Sequence, residues 1–151
     1  MKIYLDVSCL NRPFDDQTQI RVRLEAEAVL LILARLDDGE WEQTSSEMAI
    51  IETDAIPDLR RRARVRVLLP PEKSILKLTQ SVRDRAAELV ALGFGPADAV
   101  HVAAAEQSGA DVLLSCDDRL CRLAKRRALE LRVRVVNPVT WLKEFDNGQN
   151  P

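Results

Sequence analysis

At 151 residues, 46% hydrophobic and 30% charged, the chain is long enough to bury one well-formed core, and no segment has the uninterrupted apolar length of a membrane span. Its formal net charge of -2 excludes a polycation built to coat nucleic acid, so any nucleic-acid surface has to be local. Cys9, Cys116 and Cys121 form an odd set without C-x-x-C spacing, which points away from a disulfide framework or a zinc site and toward reduced packing residues. The opening residues lack the length and flanks of a signal peptide, so a cytoplasmic location is expected.

KIYLD (2–6) is a short apolar run that ends on an acid, as a buried parallel strand would. SCLNRPFDDQTQ (8–19) reads as a polar bend. IRVRLEAEAVLLILARL (20–36) repeats Leu24, Ala28, Leu31 and Ala34 at helical spacing before Asp37, Asp38 and Gly39 close it. Residues 41–45 suit a second strand, and EMAIIETDAI (47–56) a short helix halted by Pro57. DLRRRARVRVLL (58–69) is a basic helix ended by Pro70 and Pro71. The spacing then predicts an amphipathic helix over 75–95, a helix over 96–108, a strand over 110–115, a helix over 118–129, a strand over 132–136 and a closing helix around Trp141 and Leu142. Strands separated by helices define an α/β fold with a central parallel sheet and helices on both faces, a three-layer α/β/α sandwich. One domain over 1–146 with a short polar tail over 147–151 is expected.

In such sheets ligands gather beyond the carboxyl ends of the strands, so acids at those ends bear on function. Asp6 follows an apolar strand that has little structural need of a charge. Asp98 lies in the first turn after Pro96, where the helix dipole alone would account for it, and Asp117 can serve as an N-cap with Asp118 behind it. In SSEMAIIETD, Glu47, Glu52 and Asp54 compete for a fourth place. Glu47 suits a capping role and Glu52 is favoured for the site. Carboxylates converging on one crevice repel one another unless a hard cation neutralises them, and oxygen ligands suit Mg²⁺ or Mn²⁺. Such ions can hold a phosphodiester and activate water. With a single histidine, paired-histidine acid and base catalysis is excluded, and His101, three residues after Asp98, is expected to pack or hydrogen-bond locally.

YLDVSCLNRP, SSEMAIIET, ADAVHVAAAEQSGADVLLSCDD and RVVNPVTWL together resemble the PIN domain family, close to the VapC-type toxin ribonucleases. The resemblance implies that Asp6, Glu52, Asp98 and Asp117 form an acidic quartet holding Mg²⁺ or Mn²⁺, with Ser115 positioning a ligand or water and Asn11 at the rim. Glu47 remains the alternative to Glu52, and Cys116 stands where many relatives carry a small polar residue. The resemblance also implies an RNA substrate, a small antitoxin covering the acidic crevice, and a homodimer.

Basic residues concentrate in RRRARVR (60–66) and at Arg119, Arg122, Lys125, Arg126 and Arg127, which would meet phosphates if they flank the site. Arg12, close after Asp6, is the better single candidate for a scissile phosphate. Trp41 and Trp141 read as core residues, and with 4% aromatics no base-stacking platform is inferred. Dimerisation would use the apolar helix over 20–36 and positions around 75–92. Two rivals stand beside the ribonuclease. A phosphotransfer domain would use Asp6, but YLDVS lacks a second acid two residues on. A catalytically degenerate PIN module would bind a protein or RNA without cutting.

Overall fold

The apolar runs become strands because both faces of the sheet are covered. In the computed structural model, which describes residues 1–148, β1 (Lys2–Leu5), β2 (Glu42–Ser46), β3 (Ile75–Leu76), β4 (Val112–Leu114) and β5 (Arg134–Val136) form a parallel sheet in the order β3-β2-β1-β4-β5. Among the described residues eight α-helices surround it: α1 (Val7–Asn11), α2 (Ile20–Asp37), α3 (Glu47–Asp54), α4 (Leu59–Val67), α5 (Gln80–Ala91), α6 (Pro96–Gln107), α7 (Asp118–Arg126) and α8 (Pro138–Asp146).

Alternation along the strands separates two cores. Tyr4, Leu113 and Val135 point into the layer with Val82, Leu89, Val102 and Leu120 of α5, α6 and α7. Ile3, Leu5, Leu114 and Val136 point into the layer with Val29, Ile32, Val65 and Trp141 of α2, α4 and α8. This is the α/β/α sandwich that the pattern of strands and helices implies. Trp41 and Trp141 meet edge to face in the second core, as expected, with ring centroids 5.0 Å apart.

Three local readings need correction. Residues 8–19 are not one bend: Val7–Asn11 winds into a helix because the Asp6 carboxylate caps the N–H of Cys9, and Arg12–Phe14 continues as a 3-10 turn. The helix expected over 75–95 begins only at Gln80, capped by Thr79; Ile75 and Leu76 instead pair with Ser45 and Ser46 as the edge strand β3. The helix expected over 118–129 stops at Arg126, and a 3-10 turn, Ala128–Glu130, follows. Of the tail expected over 147–151, residues 149–151 lie outside the described residues.

The sheet order places the topological switch between β1 and β4, whose carboxyl ends lie side by side. The N–H of Asp6 donates to the carbonyl of Leu114 at 3.1 Å, so the chain just past β1 is tied to the end of β4. There Asp6 leaves one strand while Ser115, Cys116 and Asp117 leave its neighbour.

Candidate active site

Asp6 is the N-cap of α1 and is 5% exposed. Its Oδ1 accepts from the Ser8 hydroxyl at 2.5 Å and the Cys9 N–H at 3.0 Å. Burial raises its pKa above the usual carboxylate value, while hydrogen bonds from Ser115 and Ser8 oppose the rise. Ser8 also accepts from the N–H of Cys116 at 3.0 Å, which fastens the loop after β4 to that after β1.

Asp117 caps α7, its Oδ1 accepting from the N–H groups of Arg119 at 2.9 Å and Leu120 at 3.2 Å. Its own N–H donates to the Ser115 hydroxyl at 3.1 Å, so Ser115 braces the turn that presents this acid. Asp98 stands in the first turn of α6, whose N-cap is Gly95. Burial first, then repulsion from Asp117 and Asp6, raises the Asp98 pKa from 3.8 to about 6; Glu52 adds to the rise and His101 opposes it. The other three acids of the expected quartet thus all lie within electrostatic reach of Asp98. Capping explains part of Asp117, and the helix dipole favours the half-buried Asp98 carboxylate in the first turn of α6, but neither accounts for the repulsion that Asp98 meets from its neighbours.

The two candidates on α3 separate cleanly. Glu47 turns to the loop after β3, where its Oε1 accepts from the N–H of Leu78 at 2.7 Å. Glu52 instead meets Nε2 of His101 and contributes to the field at Asp98. His101 is buried between Glu52 and Tyr4: its Nδ1 lies 2.6 Å from the Tyr4 hydroxyl, which lies 2.7 Å from the Ser46 hydroxyl.

The expected phosphate-binding residues divide. Arg119 lines a cavity of about 200 Å³ together with Asp98, Asp117 and the Gly93–Phe94–Gly95 turn. Arg12 is engaged within the chain, its Nε donating to Glu25 at 2.9 Å and its Nη1 to Asp15 at 3.0 Å. Asn11 donates to the carbonyl of Val7 at 3.0 Å and accepts from Arg61 at 3.3 Å. Arg61 of the basic helix α4 also binds Asp15 at 2.7 Å and the Phe14 carbonyl at 2.7 Å, so that part of the cluster fastens the fold. Arg122, Lys125 and Arg126, further along α7, are exposed.

The chain matches the PIN domain family over residues 3–126. It belongs to the PIN domain family. This PIN domain is also similar in fold to the crystal structure of FitAcB from Neisseria gonorrhoeae, with a TM-score of 0.56 and 18% identity, covering 90% of this chain and 97% of that one. No curated protein sequence matches it.

Sequence reasoning missed Ser8 and the Tyr4–Ser46 pair in this PIN domain. The signal for Ser8 lies in its position two residues after the cap Asp6, where a hydroxyl reaches the capping carboxylate. For Ser46, the signal is a strand, EQTSS, whose last three residues are polar yet buried. The three thiols are free. Burial pushes the Cys9 thiol well up and that of Cys121 to about 12, so both keep their protons and behave as packing residues.

The donor set fits a hard divalent cation. Its side chains are carboxylates and hydroxyls, Asp6 and Asp98 are raised rather than lowered by their surroundings, and a cation would relieve the repulsion acting on Asp98. Among the described residues no group of three or more His, Cys, Asp or Glu side chains is placed to hold a metal ion by itself. Mg²⁺ does not need one, because it keeps several waters and binds through one or two carboxylates plus substrate phosphate.

Proposed function

We propose that this PIN domain is a ribonuclease dependent on Mg²⁺ or Mn²⁺, acting as the toxin of a type II toxin–antitoxin pair. The observation that carries the reading is the Asp98 carboxyl, raised to about 6 by burial and by Asp117, Asp6 and Glu52, at the switch point of the sheet. Asp6, Asp98, Asp117 and Glu52 would hold the ion, which when bound polarises a phosphodiester and activates a water for in-line attack. Ser115 and Ser8 keep Asp6 ionisable inside the core by hydrogen-bonding its carboxylate. Arg119, at the mouth of the same cavity, is suited to a backbone phosphate of the substrate, and exposed Arg122, Lys125 and Arg126 extend that positive surface along α7.

Exposed Ile20, Leu24, Leu30 and Leu31 on α2 support a protein-binding face, for a second copy or for an antitoxin. The positions expected to join it on α5 mostly serve the core, since Val82, Ala86 and Leu89 are buried. Among the described residues no helix is long and apolar enough to cross a membrane. The deciding experiment is cleavage of total RNA by the purified protein with Mg²⁺, Mn²⁺ or EDTA, alongside Asp98→Asn. Metal-dependent cutting that the substitution abolishes supports the reading. Cutting that persists in EDTA or in Asp98→Asn rejects it.

A further inference from the structure

We propose that His101 is the positioning residue of the acidic centre: in its neutral form the ring carries the proton on Nε2, donates it to Glu52, and is locked in that tautomer by the Tyr4 hydroxyl at Nδ1. The catalytic consequence rests on the metal-dependent nuclease reading, whereas the placement of the proton does not.

For the neutral ring, counting protons selects the direction. The Tyr4 oxygen has one proton to give and two neighbours, Ser46 at 2.7 Å and Nδ1 of His101 at 2.6 Å. If Tyr4 donated to Ser46, Nδ1 would have to carry the proton of the neutral ring. Nε2 would then present a bare lone pair to the Glu52 carboxylate, and two acceptors would face each other. If Tyr4 donates to Nδ1, Ser46 donates to the Tyr4 oxygen and Nε2–H donates to Glu52. Every member of the series is then satisfied without an extra proton. Burial raises the Tyr4 phenol above its usual value, so it retains the proton this arrangement requires.

The arrangement determines what His101 can do. Both ring nitrogens are engaged and the ring is 2% exposed, so neither is free to exchange a proton with a substrate. What remains is orientation. Glu52 is a long side chain, 36% exposed, on the eight-residue helix α3, and it lies within electrostatic reach of Asp98. The histidine joins it to a rigid foundation, since Tyr4 lies in the central strand β1 and Ser46 at the end of β2.

His101 is the only histidine in the sequence, so its ring ¹⁵N resonances need no assignment. A long-range ¹H–¹⁵N correlation on the metal-free protein at mildly alkaline pH should show a protonated Nε2 and a bare Nδ1. A protonated Nδ1, or an average over both tautomers, would overturn the assignment. In Tyr4→Phe, which keeps the aromatic ring and removes the hydroxyl, the spectrum should move toward a mixture. Mn²⁺ affinity, read by electron paramagnetic resonance, should fall about tenfold in Tyr4→Phe and His101→Ala. RNA turnover should fall with kcat rather than KM, and His101→Gln, whose amide can still donate, should recover part of the loss. If Tyr4→Phe and His101→Ala fold normally by circular dichroism and match wild type in Mn²⁺ affinity and kcat, the positioning role fails while the nuclease reading stands. If wild type itself neither binds Mn²⁺ nor cuts RNA, the nuclease reading falls together with the catalytic consequence drawn from it, and the ring spectrum alone decides the tautomer.

Discussion

Glu25 is 1% exposed and meets Arg12 at 2.9 Å, Arg21 at 3.3 Å and the amide of Asn137 at 2.5 Å. Asp6 is 5% exposed and meets the Ser8 hydroxyl and the Cys9 N–H. Both are carboxylates removed from water, and each needs compensation, because an unpaired buried charge is among the costliest features a core can hold. For Glu25 the fold supplies guanidinium groups from its own chain, which makes it a structural joint between α2, the turn after α1 and the start of α8. Among the described residues neither Asp6 nor its neighbour Asp98 has an arginine or lysine partner: the compensation comes from hydrogen bonds and from His101, and the charges beside Asp98 are mostly negative. An acid with an internal cation holds the molecule together, whereas acids clustered without one leave room for an external cation.

The largest expected effect tests the uncompensated region. Asp98→Asn and Asp117→Asn should each lower RNA cleavage about a thousandfold, because several kcal/mol of transition-state stabilisation depend on the ion they help to hold. A single-turnover assay at saturating Mn²⁺ measures this, and retention of even a tenth of the rate would erase the distinction drawn above. Glu25→Ala tests the compensated region and should act on stability. With the carboxylate gone, Arg12 and Asn137 lose their shared acceptor, and urea unfolding should show a loss of about 3 kcal/mol. Unchanged stability would mean that the pairing only offsets its own desolvation.

These regions were not equally legible in the sequence. Four of the five strands, seven of the eight helices and three of the candidate acids could be read because apolar periodicity and strand-end position are local properties. Asp6, Asp98 and Asp117 each follow directly from a strand end or a helix start. The choice between Glu47 and Glu52 was not local: it depends on His101 and Leu78 arriving from other parts of the chain. Arg12 looked like a phosphate ligand because it is close to Asp6 in sequence, but its partners lie on α2 and in the following turn. Glu25 did carry a signal, since it falls on the buried stripe of α2 with Ala28, Val29 and Ile32. Ile75 and Leu76 were read as helix because two apolar residues are too few to show a strand period.

A smaller effect separates the regions by pH. Asp98 titrates near 6 in the folded chain and near 3.8 when unfolded, so between these values the folded state holds the extra proton. Stability therefore falls as pH rises through that window, and the loss is complete above about 6. For a fully buried group this displacement would correspond to about 3 kcal/mol. Screening at a half-buried carboxyl reduces it to about 1 kcal/mol. Urea midpoints of wild type and Asp98→Asn should coincide near the acid end of the window and diverge above it, with the variant the more stable. Added Mn²⁺ should close that gap for wild type alone. A constant difference across pH would mean that the neighbouring carboxylates do not act on Asp98.

The smallest effect is expected one residue beyond the candidate acid Asp117. Asp117 and Asp118 are adjacent, yet Asp118 faces Arg21 in an exposed pair that lowers its pKa, while Asp117 is directed to the cavity with Asp98. The neighbours thus repeat the contrast between Glu25 and Asp6 at the surface, one acid paired within the chain and one left open. Asp118→Asn should leave both Mn²⁺ affinity and cleavage within experimental error of wild type, measured beside Asp117→Asn in the same preparation. Because Arg21 also binds Glu25, the released guanidinium retains one carboxylate partner, and α7 keeps its cap from Asp117. A drop in cleavage comparable to that of Asp117→Asn would place Asp118 in the acidic centre and show that pairing to an arginine does not exclude a carboxylate from the chemistry.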